Sequence, residues 1–222
     1  MLHNVALWAA EGIPGASRGL VVVPEFAGPI GVPDFTAFIG SPSDLFRRQA
    51  LDVPPVVNDI DAGILSVTHV RRLSDVRDLA SALGWPVATL ARRIRRLVLT
   101  GALIEVRPGM YVRPTEIDAR GRLYAIETKI DDWAKALRQG RTYRVWADAY
   151  VLVMSGLSER TAESLLTEVR RDRGGLVVDG KWLARPRLGQ TSEWRRLQAV
   201  ERFAAVTESG LRDPALASGV QP

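Results

Sequence analysis

Apolar positions crowd into short runs near both ends of the chain and recur at helical spacing in between. Residues 20–23, 32–39, 122–129 and 147–154 carry the β-branched and aromatic density of buried strands. Gly28-Pro29-Ile30-Gly31 punctuates the first two and predicts a hairpin. A short helix is expected before them, and one or two helical turns over 44–51.

From residue 56 the period changes. Ile60, Ile64, Leu65 and Val67 follow a partial helical repeat over 57–70. Ser74 predicts the cap of a helix over 75–83, and Gly84 its stop. Pro86 is placed to open a third helix at its first position, with Leu90, Ile94 and Leu97 on one buried face. Strands over 102–106 and 110–113 meet at Pro108-Gly109, a tight-turn pair.

Beyond Pro114 strands and helices alternate: strand 122–129, helix 132–143, strand 147–154, then helix 159–171 behind the Ser158 cap. Two short strands, 176–178 and 181–185, precede a terminal helix over 192–206. Pro54-Pro55 and Pro114 mark boundaries. The predicted division is 1–55 and 115–207 as two parts of one core, 56–114 as an inserted module, and 208–222 as a flexible tail.

Composition narrows the chemistry. With 46% hydrophobic and 25% charged residues, the 222-residue chain suits a globular protein of one large or two small domains. Cysteine is absent, which excludes disulfides and thiolate metal sites. His3 and His69 are far apart, so a metal is expected on oxygen ligands, as magnesium or manganese prefer. The net charge of +5 is arginine-dominated and suits a polyanion. Residues 56–114 hold nine arginines against five acids, a net of +4. No apolar run is long enough for a membrane span and no signal peptide is expected, so the expected location is the cytoplasm.

Candidate chemistry sits at strand ends. Glu127 and Lys129 are two positions apart on a predicted strand, so they share one face of the sheet. Gln139 and Tyr143 share one face of the following helix. On the third helix of the module, Thr89, Arg92, Arg93 and Arg96 lie opposite the buried face, with Arg95 at the flank. Trp133, Trp146, Trp182 and Trp194 are expected to be mostly core.

Residues 56–114, three helices followed by a two-stranded hairpin, resemble the winged helix-turn-helix family. The resemblance implies that the third helix enters the DNA major groove through Thr89, Arg92, Arg93, Arg95 and Arg96, and that Arg107 of the wing touches the backbone.

The flanking segments resemble the PD-(D/E)xK nuclease superfamily. Pro33-Asp34 matches its aspartate element, Glu127-Thr128-Lys129 its acid-x-lysine element, and Gln139-x-x-x-Tyr143 a motif of its RecB-type members. The fold this implies is α/β (α+β): a restriction-endonuclease-like mixed sheet flanked by helices and interrupted by the winged helix. The resemblance assigns Asp34, Glu127 and the Thr128 carbonyl to magnesium or manganese. Relatives often carry a further early glutamate; Glu25, at a strand end beside the turn, is the favoured candidate, with Glu11 of the first helix as its competitor. It gives Lys129 to the attacking water, and Gln139 and Tyr143 to the same site. Lys135 and Arg138 are expected to touch phosphates. The expected activity is metal-dependent DNA cleavage, endonucleolytic or exonucleolytic. The rival reading is a non-catalytic DNA-binding regulator, or a defence or toxin–antitoxin component, on a degenerate nuclease fold. DNA is the expected partner, and the reading leaves room for a homodimer. The departure from the pattern is spacing: Asp34 and Glu127 are 93 positions apart, and the insertion accounts for the excess.

Overall fold

The computed structural model describes residues 2–212, and those residues divide into two compact units. Of the described residues, the first contains 2–42 and 121–192, the second 43–120 and 193–212.

The first unit is built on an open, mixed six-stranded sheet. Its strands are β1 (Leu20–Pro24), β2 (Phe35–Ile39), β5 (Arg122–Lys129), β6 (Ala149–Met154), β7 (Gly175–Val178) and β8 (Lys181–Ala184), adjacent in that order. β1, β2 and β5 are antiparallel, β5, β6 and β7 parallel, and β8 turns back antiparallel. Helix α6 (Trp133–Tyr143) connects β5 to β6, and α7 (Glu159–Arg171) connects β6 to β7.

Both faces of the sheet are covered, which explains why β6 reads as an unbroken apolar run. Ala149, Val151 and Val153 pack with Ala6, Ala9 and Ala10 of α1 (Leu2–Glu11). The alternate residues, Tyr150, Leu152 and Met154, pack with Ala136 and Leu137 of α6 and Leu165 and Val169 of α7. The predicted spans 122–129 and 159–171 coincide with β5 and α7, and Ser158 caps α7 by accepting from the Thr161 N–H.

The second unit holds α2 (Pro42–Phe46, starting at the unit boundary), α3 (Asp59–Val67), α4 (Val76–Leu83), α5 (Val87–Leu99), the hairpin β3 (Ile104–Arg107) and β4 (Met110–Val112), and the terminal α8 (Glu193–Arg212). Ile64, Leu65, Leu79, Leu90, Ile94 and Leu97 form its core together with Leu103, Ile117 and Leu197. Three helices and a hairpin therefore stand where the sequence predicts them.

Four expectations change. Asp75, not Ser74, caps α4: its carboxylate accepts from the Arg77 and Asp78 amides in a reciprocal capping box. Ser74 instead pairs its backbone with Tyr111. Pro86 is the residue before α5 rather than its first helical position. The second strand starts at Phe35, so Asp34 precedes it.

The fourth change concerns the boundaries. The terminal helix, predicted as part of the 115–207 core, packs in the second unit. Trp194 lies edge-on to Trp85 with centroids 5.2 Å apart and donates to the Asp59 carbonyl at 2.9 Å. Buried Glu201 pairs with buried Arg48 and accepts from the Val56 N–H at 2.7 Å. The segment 43–55 and α8 thus complete the core that the 56–114 division cuts through. α8 also covers 208–212 of the predicted tail; residues 213–222 lie outside the described residues.

Candidate functional site

β2 and β5 bring the two motif elements together. Their antiparallel register pairs Phe35 with Ile126, so Asp34 and Glu127 each lie one residue beyond that pair. The 93-residue separation in sequence closes to a cross-strand neighbourhood.

Asp34 is fixed first. Its Oδ2 accepts from the Thr128 amide at 2.7 Å and from the Thr128 hydroxyl at 2.6 Å. Glu127 is buried and fully engaged. Its Oε1 accepts from the Lys129 ammonium at 2.6 Å, and its Oε2 from the Tyr143 hydroxyl at 3.0 Å. Strand alternation puts Glu127 and Lys129 on one face, as the sequence implies, and that face meets α6. Gln139, one helical turn before Tyr143, donates to its hydroxyl at 3.4 Å. The tyrosine hydroxyl is also within 3.2 Å of the Val32 carbonyl. Gly31 permits this approach: with φ of 75°, any Cβ there would lie 2.8 Å from the Tyr143 ring.

Lys129 occupies the centre. Its ammonium lies 2.6 Å from Glu127 Oε1, 3.1 Å from the Thr128 carbonyl and 3.9 Å from Asp34 Oδ2. Burial lowers the lysine pKa, but the hydrogen bond and charge of Glu127, helped by Asp34 and Asp132, outweigh it and raise the pKa above its ordinary value. Burial also raises the Tyr143 pKa, and the neighbouring Glu127 carboxylate adds to the rise. The tyrosine is therefore a stable hydrogen-bond donor.

The candidate donors are all oxygen, the type of atom that a hard divalent cation takes. Asp34, Glu127 and the Thr128 carbonyl offer oxygen atoms alone, and one positive charge, the ammonium, already lies near all three. Gln139 Oε1 is buried with no hydrogen-bond partner, an acceptor left for a further donor in this region. Glu25 reaches the Asp34 side. It follows β1 with φ of 47°, its N–H bonds the Asp34 carbonyl at 3.0 Å, and it lines a cleft of about 260 Å³ with His3, Pro24, Asp34, Phe35 and Thr128. Among the described residues, however, no three acidic or histidine side chains gather closely enough to form a metal cage by themselves. Lys135 and Arg138 are exposed on α6.

The arginines of α5 divide into two kinds. Arg92, Arg95 and Arg96 are exposed, as is Arg107 at the end of β3. Arg93 is half-buried and its guanidinium lies 3.6 Å from the buried Asp61 of α3; Arg96 reaches the same carboxylate at 3.9 Å. Thr89 is half-buried. Burial raises the Asp61 pKa, while Arg93 and Arg96 oppose that rise. Arg93 therefore spends part of its charge inside the protein, which helical spacing alone did not reveal.

Of the four tryptophans expected to be mostly core, Trp146 is wholly buried and its indole N–H donates to the Ile30 carbonyl at 2.9 Å, whereas Trp133, Trp182 and Trp194 are half-buried. A smaller hollow of about 150 Å³ in the second unit is lined by Arg113 and Arg196 among others. Arg113 is engaged with the Leu65 carbonyl and Asp118, and Arg196 with the Ala119 carbonyl. The residue that sequence reading passed over is His3. Nothing in its spacing relates it to Asp34, because they belong to different elements. Comparison with known protein families, with curated proteins and with solved structures finds no match to this chain.

Proposed function

We propose that the protein is a metal-dependent deoxyribonuclease in which a nuclease-like sheet unit does the cleavage and a winged-helix-like unit binds DNA. One observation carries this reading: Asp34, Glu127, Thr128, Lys129, Gln139 and Tyr143 form a single connected web, although they come from three separate elements of the chain. Surface charge pairs formed by chance do not supply a buried carboxylate, a shared lysine and a supporting tyrosine at once.

Asp34, Glu127 and the Thr128 carbonyl would hold magnesium or manganese, which when bound supplies Lewis-acid activation of the phosphodiester and of the attacking water. The chain's own groups do the positioning. The Thr128 amide and hydroxyl hold the Asp34 carboxylate in place, and Tyr143 aims Glu127. Gln139 in turn holds Tyr143. Lys129 places a positive charge where the phosphate gains negative charge as water attacks phosphorus and the P–O ester bond breaks. Arg92, Arg95, Arg96 and Arg107, with Lys135 and Arg138, supply the cationic contacts that a DNA backbone needs.

The alternative, a DNA-binding regulator or defence component on a nuclease-like scaffold, is favoured by one feature. The acidic groups are few, and the lysine already offsets part of their charge. The separating experiment incubates the protein with magnesium or manganese on supercoiled, linear, branched and single-stranded DNA. Products from at least one substrate, abolished by chelation, support the nuclease. Binding without products on all of them supports the regulator.

A further inference from the structure

The cleft beside Asp34 has an unequal lining. Of its six residues, Glu25 and Asp34 are anionic, and Pro24 and Phe35 have no polar side-chain group. The Thr128 hydroxyl is committed to Asp34 at 2.6 Å. The Lys129 ammonium lies against Glu127. That leaves the His3 imidazole as the side chain lining the cleft that can donate a hydrogen bond to an anion. Its orientation is supported: the ring lies edge-on to Phe35, with centroids 4.9 Å apart and planes at 73°. Phe35 is the residue next to Asp34 and is buried in the sheet core, so the histidine rests against the first residue of the strand that follows the candidate ligand.

Two carboxylates facing an open cleft repel a phosphodiester unless a donor or cation faces them. We propose that His3 is a substrate-contacting residue, donating a hydrogen bond to a phosphodiester oxygen of a DNA strand seated in the cleft beside Asp34. The inference rests on the nuclease reading for its substrate class and adds a specific wall of the cleft to it. It also gives the first helix a role beyond packing. Ala6, Ala9 and Ala10 fasten α1 to the sheet, and the exposed His3 at its start is thereby brought to the cleft.

The test uses the full chain and two substitutions that treat the aromatic contact differently. His3→Phe keeps a ring for Phe35 but removes the donor. His3→Gln removes the ring but keeps an N–H donor. The probe is thymidine 3′,5′-bisphosphate, titrated with calcium present to hold the site without turnover, and followed by calorimetry. Loss of one hydrogen bond to a charged oxygen is expected to weaken binding by about ten- to a hundredfold in His3→Phe, with partial recovery in His3→Gln. Equal affinity of wild type and His3→Phe overturns the proposal, as does a wild-type protein that does not bind the probe. Cleavage of DNA is measured separately. If wild type and His3→Phe cut equally well, the nuclease reading stands and the His3 inference falls. If the probe binds through His3 but no DNA is cut, the His3 contact stands and the nuclease reading falls.

Discussion

The two units handle charge in opposite ways. At the end of β5, every charged group is engaged: Asp34 by Thr128, and Glu127 by Lys129 and Tyr143. On α5, most of the arginines stand in solvent, and only Arg93 and Arg96 approach a buried acid. Engaged charges in a partly buried web suit chemistry, which needs fixed geometry before the substrate arrives. Exposed arginines suit a long polyanion, where counterion release matters more than exact placement. The difference predicts that substitutions in one unit change cutting with little change in binding, and that substitutions in the other do the reverse.

The sharpest way to break that contrast is Glu127→Gln. It keeps the shape but removes the charge that Lys129 and Tyr143 address. Cleavage is expected to fall by at least about a hundredfold, the scale set by losing a major electrostatic group of a site. DNA affinity measured by fluorescence anisotropy should stay within about twofold, since no α5 group changes. A parallel loss of affinity would mean that the two units do not separate the tasks.

Next come two deletions. Replacing 56–114 by a short linker leaves α8 without Ile64, Leu65 and Leu90, and leaves Glu201 without the Val56 amide. That protein is expected to aggregate, through apolar surface that lost its cover. Joining residue 42 to 121 and ending at 192 removes the second unit along its own boundaries. This shorter protein is expected to stay soluble and cooperatively folded by circular dichroism, while losing most DNA affinity. Equal behaviour of the two deletions would refute the division into units.

These boundaries also mark where the sequence stops being legible. The pattern of β5, with its acid-x-lysine end, is local, and so is the Ser158 cap of α7; both are readable from spacing. Pairing of Asp34 with Thr128 depends on β2–β5 register across an insertion, which only the family resemblance suggested. The fastening of α8 to α3 was not legible at all. Leu197 and Trp194 look like any apolar helix face, and the buried Arg48–Glu201 pair joins residues 153 positions apart. Val32 and Pro33 extend the apolar run and so predict a strand that includes Asp34. Proline has no N–H for a ladder, and the pairing with β5 ends at Phe35. His3 was missed for the same reason as α8: its neighbours are brought by the fold.

A smaller effect is expected on the arginine face. Arg92→Ala, Arg95→Ala and Arg96→Ala together should flatten the slope of log K against log salt by up to about 0.9 per lost phosphate contact. Arg93→Ala should change that slope less and lower the melting temperature more, because it leaves Asp61 with one weaker partner. An identical slope change from Arg93 alone would place it on DNA rather than on α3.

The smallest effect is a pH signature of the engaged web. The Lys129 and Tyr143 pKa values are both raised by folding. Their contribution to stability is complete below the unfolded values and is lost as pH rises through the folded ones. It should therefore fade in the alkaline range, above the ordinary tyrosine value of 10.0. Denaturant melts of wild type and Tyr143→Phe should differ in how steeply stability falls above that point. Parallel curves would show that folding does not raise the Tyr143 pKa, by burial or by the neighbouring Glu127.

The most direct test of the central claim is a time course of DNA cleavage with manganese, comparing wild type with Asp34→Asn. Asp34 is half-exposed and Asn can still accept from Thr128, so the variant should fold and bind DNA as wild type does. The account predicts that wild type converts DNA to product while Asp34→Asn stays at the level of the chelated control. Equal cleavage by both proteins, or none by wild type on any DNA form, would contradict it.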